Sequence, residues 1–80
     1  MKSSIRSIVD INQTAGAFQS SIVLRTGDRF IDAKSILGLS MTLYRDQTYR
    51  LDIHGPDEEE AKAAMLDVFL KYGLLVEIND

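Results

Sequence analysis

The sequence predicts an α+β fold, and three stretches predict it. Tyr49-Arg50-Leu51-Asp52-Ile53-His54 alternates, with Tyr49, Leu51 and Ile53 on one face and Arg50, Asp52 and His54 on the other. That is the period of a strand with one covered and one wet face. Ala61, Ala64, Met65, Val68, Phe69 and Tyr72 recur at helical spacing and form one apolar stripe. Two runs, Ile22 to Thr26 and Arg29 to Asp32, flank Gly27-Asp28, the mark of a hairpin with a tight turn.

Composition narrows the class. Eighty residues suit one small domain, 1–80, with a thin core. An apolar share of 45% argues against disorder. The absence of cysteine excludes disulfides and thiolate metal sites, and points away from a small secreted scaffold. Every apolar run is too short to span a membrane, and Met1 to Asp10 lacks the apolar region of a signal peptide. The expectation is a cytoplasmic protein with no membrane partner. A net charge of −3 also points away from direct nucleic-acid binding, which wants a basic face.

Taken in order, Ser3 to Phe18 places Ile5, Ile8, Val9, Asn12, Ala15 and Phe18 at roughly helical spacing, with Ser3 or Ser4 as cap. The rival reading is a strand from Ile5 to Ile11, because β-branched residues are frequent there. Ser20-Ser21 breaks the pattern before the hairpin, in which Phe30 and Ile31 must face opposite sides. Ser35 to Leu43 is a short apolar helical segment. It carries Ile36, Leu37, Leu39, Met41 and Leu43, more than so short an element can bury. These residues either plug the core or leave a patch for a partner. A polar loop from Tyr44 to Thr48 leads to the alternating strand, which Gly55-Pro56 ends. Asp57 and Glu60 have the spacing of a capping box, and Glu58 to Glu60 sit at the positive end of the helix dipole. Gly73 is placed to close that helix, and Leu74 to Ile78 reads as a final strand.

Ser35 stands where the hairpin ends and the short helix begins. A hydroxyl there can cap free backbone N–H groups, and a phosphate there would be favoured by the same donors and by the dipole. Cap and switch are the two readings of this residue. The single histidine, His54, lies in a strand, where a lone histidine is usually structural or simply exposed. The run Asp57 to Glu60 fits a solvated helix start better than a cation site. The sequence carries no glycine-rich phosphate loop, catalytic triad or metal motif, so no enzyme activity and no cofactor is expected.

With Asp32-Ala33-Lys34-Ser35-Ile36-Leu37-Gly38 between a hairpin and a helix, the sequence resembles the HPr family, the small phosphocarriers of the bacterial sugar phosphotransferase system. The likeness runs from about Ser7 to Tyr72. It takes in Gln13-Thr14-Ala15 with Phe18, the Gly27-Asp28 turn, and Gly55 with Asp57-Glu58 before an alanine-rich helix. The resemblance implies a two-layer sandwich: a mainly antiparallel four-stranded sheet, strand order 1-4-2-3, with the helices on one face. Two family features are not matched. The family's amino-terminal strand has no counterpart, and the strand at 74–78 is expected to take its place, parallel to Tyr49–His54. The rival is that 74–78 pairs with a second molecule. The family's phosphorylatable histidine also has no counterpart: alignment back from Gln13 puts Arg6 at the motif's arginine and Ser4 at its histidine.

The resemblance therefore implies a protein that is not a histidine phosphocarrier but a regulatory protein-binding module. In the Gram-positive branch of the family, the serine matching Ser35 is phosphorylated by HPr kinase, and the product joins a transcriptional regulator in carbon catabolite control. Ser35 would be the phosphosite. Arg6, Lys34, Ile36, Leu37 and Met41 would contact the partner, with Ser40 departing from the family's apolar residue. Monomer and strand-exchanged homodimer both fit. The alternatives are a diverged structural or interaction domain, and a phosphocarrier that uses a non-family residue.

Overall fold

The chain runs α1 (Ile5–Gly16), β1 (Ser21–Thr26), β2 (Arg29–Asp32), α2 (Ile36–Ser40), β3 (Thr48–His54), α3 (Glu58–Lys71) and β4 (Leu75–Ile78). The computed structural model describes residues 4–43 and 48–80. The candidate cap Ser3 and all of the expected polar loop except Thr48 lie outside the described residues.

Four strands form one mixed sheet in the order β2-β1-β3-β4. β1 is antiparallel to both β2 and β3, with Leu24 opposite Ile31 on one side and Leu51 on the other. The alternation read in β3 is realised: Tyr49, Leu51 and Ile53 are buried, while Arg50 and His54 are exposed. The hairpin follows from a two-residue turn, since Thr26 pairs with Arg29 across Gly27-Asp28. Phe30 takes the outer face and stacks under the Arg25 guanidinium, 5.0 Å from its ring centroid, whereas Ile31 packs against the core.

β4 occupies the edge beside β3 and runs parallel to it, with Thr48 opposite Leu75 and Leu51 opposite Ile78. This is the place expected for the C-terminal strand, and the pairing lies within the chain. The strand is prolonged by a side chain. Asn79 Oδ1 accepts from Ile53 N–H at 2.7 Å, and Asn79 Nδ2 donates to the Ile53 carbonyl at 3.0 Å. An amide thus supplies the donor and acceptor that another strand residue would have given, so these β3 groups remain paired.

The core lies between the sheet and the helices. Ile22, Leu24, Tyr49, Leu51 and Ile53 meet Ile8, Ile11 and Ala15 of α1, Leu39 of α2, and Ala61, Met65, Val68 and Phe69 of α3. Tyr49 and Phe69 pack edge to face, with ring centroids 6.2 Å apart. The helical reading of Ser3 to Phe18 holds, but its apolar face is turned. Ile5 is 79% exposed, whereas Ile11, outside the face that the spacing predicts, is 1% exposed. The buried side of α1 is Ser7, Ile8, Ile11 and Ala15. The face is set by the meeting of α1 with both α2 and α3.

The start of α3 also differs from expectation. Asp57 holds the cap position, yet its carboxylate makes no hydrogen bond to the helix it begins. Instead it accepts from Gln19 N–H and Ser20 N–H, each at 2.9 Å, and from the Ser20 hydroxyl. The Asp57 N–H that a capping box would give to Glu60 is instead donated to Ser20 Oγ at 3.3 Å, and Glu58 Oε1 accepts from Gly55 N–H at 3.2 Å. Asp57 therefore joins the α1–β1 corner to the β3–α3 corner. Gly55 stands at the crossing with φ +154°, and a Cβ there would lie 2.6 Å from Ser20 Cα. Only glycine allows that approach.

Candidate functional site

The β2–α2 junction is built by three residues in a row. Asp32 accepts Lys34 N–H on its carboxylate at 2.9 Å and Ser35 N–H on its carbonyl at 2.9 Å, which turns the chain at the end of β2. Ser35 follows in an extended conformation (φ −96°, ψ 107°), and its Oγ accepts from Gly38 N–H at 3.3 Å. Ser35 is thus the cap of α2 in fact as well as by sequence. Ser35 is exposed.

Helix α2 divides its apolar side chains. Leu39, with Leu43 just beyond the helix, is fully buried and plugs the core. Ile36, Leu37 and Met41 are 47%, 70% and 58% exposed. Leu39 and Leu43 thus fill the plug, while Ile36, Leu37 and Met41 stay exposed. Gly38 lets the helix lie against β2, since a Cβ there would fall 2.6 Å from Ile31 Cγ2. The Ser40 hydroxyl donates to the Leu37 carbonyl at 2.8 Å, so its polar group is satisfied inside the helix.

Lys34 is bound back to the α1–β1 connection: its Nζ donates to the Phe18 carbonyl at 2.8 Å. Arg6 lies elsewhere. It shares a groove between α1 and α3 with Ile5, Val9, Asp10, Gln13, Lys71 and Tyr72, and Ser35 is not among the residues that line it. In that groove Asp10 accepts from the Tyr72 hydroxyl at 2.7 Å and from Lys71 Nζ at 3.2 Å. The Tyr72 hydroxyl first, and then Lys71, hold the Asp10 carboxyl below its ordinary range. The same contacts push Lys71 and Tyr72 upward, with Asp10 as the main cause in both. Sequence reasoning missed this cluster. The apolar stripe pointed to Tyr72, but nothing local tied it to Asp10.

Ser4 is the cap of α1. Its Oγ accepts from Ser7 N–H at 3.3 Å. His54 sits exposed at the end of β3, opposite Ser21. Among the described residues, no group of three or more His, Cys, Asp or Glu side chains could hold a metal ion, and no helix is long and apolar enough to cross a membrane.

Comparison with known proteins gives a consistent answer. The family model described as "PTS HPr component phosphorylation site" matches residues 4–71. The phosphocarrier protein HPr of Cupriavidus necator is 39% identical over 62 residues, which cover 76% of this chain and 70% of the relative. Among solved structures, the HPr dimer of Thermoanaerobacter tengcongensis superposes with a TM-score of 0.79 at 32% identity, covering 85% of this chain and 79% of the other. The Bacillus subtilis catabolite repression protein Crh, described as a swapped dimer, gives a TM-score of 0.79 at 25% identity, covering 92% and 85%.

Proposed function

Because the chain belongs to the HPr family of phosphotransferase-system phosphocarriers, we propose that it is a regulatory branch of that family, acting through Ser35 rather than through a phosphohistidine. The observation that carries this reading is the placement of an exposed serine at the α2 cap, with Ile36 and Leu37 exposed on the same short helix and Met41 exposed at its C-terminal end. A hydroxyl aligned with the histidine, at Ser4, cannot form the labile phosphoimidazole that a carrier needs. The likeness to Crh, whose description refers to catabolite repression, supports the regulatory sense.

In this reading the working unit is one HPr-like domain, 1–80, in the cytoplasm. A kinase transfers the terminal phosphoryl group of a nucleoside triphosphate to Ser35 Oγ. The new P–O bond forms as the diphosphate leaves, and the hydroxyl proton goes to the kinase's base. The added charge of about −2 lies at a helix N-terminus, where free N–H groups and the dipole tolerate it and where arginines of a partner can engage it. The apolar side chains of α2, with Lys34, dock against a transcriptional regulator. Arg6 extends the contact surface along α1. The domain itself has no catalytic residue and needs no cofactor. Incubation with HPr kinase and ATP, followed by intact mass measurement, tests the reading. One added phosphoryl group that Ser35→Ala abolishes is expected, and no added mass would overturn it.

A further inference from the structure

The turn that presents Ser35 is fastened at two points, one on helix α1 and one in the connection that follows it. Asn12 Nδ2 donates to the Ala33 carbonyl at 3.3 Å, and Lys34 Nζ donates to the Phe18 carbonyl at 2.8 Å. The first bond is an amide-to-carbonyl contact that a charge on Ser35 leaves alone. The second commits an exposed ammonium to a neutral carbonyl, one residue before the serine. Lys34 is the one cation in the turn 32–35, and the Asp32 carboxylate lies in the same turn, accepting Lys34 N–H.

A phosphate on Ser35 changes the competition for that ammonium. Phosphoserine carries about −1.5 to −2 charge at neutral pH. An ammonium bonded to such an anion gains the attraction of a full opposite charge, where the Phe18 carbonyl offers it only a dipole. The Asp32 carboxylate repels the new charge, so the cation has a further reason to move between the two anions.

We propose that Lys34 reports the charge state of Ser35 to the α1–β1 corner. With Ser35 unmodified, Lys34 clasps the Phe18 carbonyl. With Ser35 phosphorylated, it releases Phe18 and turns to the phosphate. The inference rests on the reading of Ser35 as a phosphosite. Its consequence lies at the α1–β1 corner. Phe18 is followed by Gln19 and Ser20, whose N–H groups are held by Asp57 at the start of α3. Release of Phe18 loosens one side of a corner that Asp57 holds on the other.

The test uses the full chain with phosphoserine installed at position 35 during synthesis, so it depends on no kinase. The Lys34 side-chain ammonium resonance and the amide exchange of Ala17 and Phe18 are compared between the unmodified and phosphorylated chains, each also made with Lys34→Gln. The proposal expects the phosphate to shift the ammonium resonance and to raise exchange at Phe18 several-fold. It also expects Lys34→Gln to raise that exchange without phosphate and to remove the response to it. An ammonium resonance that does not move, or an equal exchange response in the Lys34→Gln chain, overturns the clasp while leaving the phosphosite intact. A kinase that leaves Ser35 unmodified overturns the proposed function while leaving this comparison standing.

Discussion

Ser20 and Asp57 exchange hydrogen bonds in both directions. The Ser20 N–H and hydroxyl donate to Asp57 Oδ1, and Asp57 N–H donates back to Ser20 Oγ at 3.3 Å. Ser20 is fully buried, so these bonds replace the water its polar groups lost on folding. Ser20→Ala should cost about 1 kcal/mol in urea unfolding. Gly55→Ala should cost more, about 1–3 kcal/mol, because its Cβ meets backbone rather than a movable side-chain tip. If Gly55→Ala proved as stable as the parent, the close approach at this crossing would be disproved.

The same contact sets a pH response. The Ser20 hydroxyl first, and then the Gln19 N–H, hold the Asp57 carboxyl below its ordinary range. A carboxyl whose folded pKa is lowered binds protons less readily folded than unfolded. Its contribution is therefore fully present above the unfolded value of about 4 and is lost as pH falls through the folded value. Asp10 and Glu58 are lowered too, so their contributions fade in the same acid window. The urea midpoint should hold from neutral pH down to about 4 and fall below it. In Asp57→Asn, the midpoint should be lower at neutral pH and the acid slope shallower.

The two sides of α2 should separate in mutagenesis. Leu39→Ala empties a fully buried site and should cost about 2–5 kcal/mol. Leu37→Ser and Met41→Ser change exposed positions and should stay within about 0.5 kcal/mol of the parent. Both should nonetheless weaken binding of the phosphorylated chain to the transcriptional regulator, as measured by calorimetry. Unchanged binding in both would remove α2 from the contact surface. Ser35→Ala should cost about 1 kcal/mol through the lost cap, and Ser35→Asp should keep the cap.

Asn79→Ala should destabilise the chain by about 1–2 kcal/mol, because it leaves both the N–H and the carbonyl of Ile53 without that partner. Amide exchange should then rise first at Ile53. Equal protection of Ile53 in both proteins would count against Asn79 as an extension of β4.

These contacts mark the limit of what the sequence tells. Where a pattern is local, it was legible. The alternation of Tyr49, Leu51 and Ile53 and the stripe through Met65 and Phe69 each state their buried face directly. The Ser35 cap was legible for the same reason, as its partner Gly38 is three residues away. The bonds that fasten the elements together were not. Asp57 reaches Ser20 across 37 positions, Asn79 reaches Ile53 across 26, and Asp10 meets Tyr72 across 62. A carboxylate at a helix start satisfies a capping pattern equally well when its oxygens point to another corner of the fold. Helix α1 failed in a different way. It carries Ile5, Ile8, Val9 and Ile11, more apolar residues than one face holds, so the spacing alone could not choose between Ile5 and Ile11.

The central claim is that phosphate enters this protein at Ser35 and not at a histidine. The most direct measurement locates phosphate by tandem mass spectrometry at neutral pH after two parallel reactions, one with HPr kinase and ATP and one with Enzyme I and phosphoenolpyruvate. The account predicts phosphoserine at position 35 in the first reaction and no phosphate in the second. Phosphate on His54 or Ser4 from Enzyme I, with Ser35 unmodified by the kinase, would contradict it.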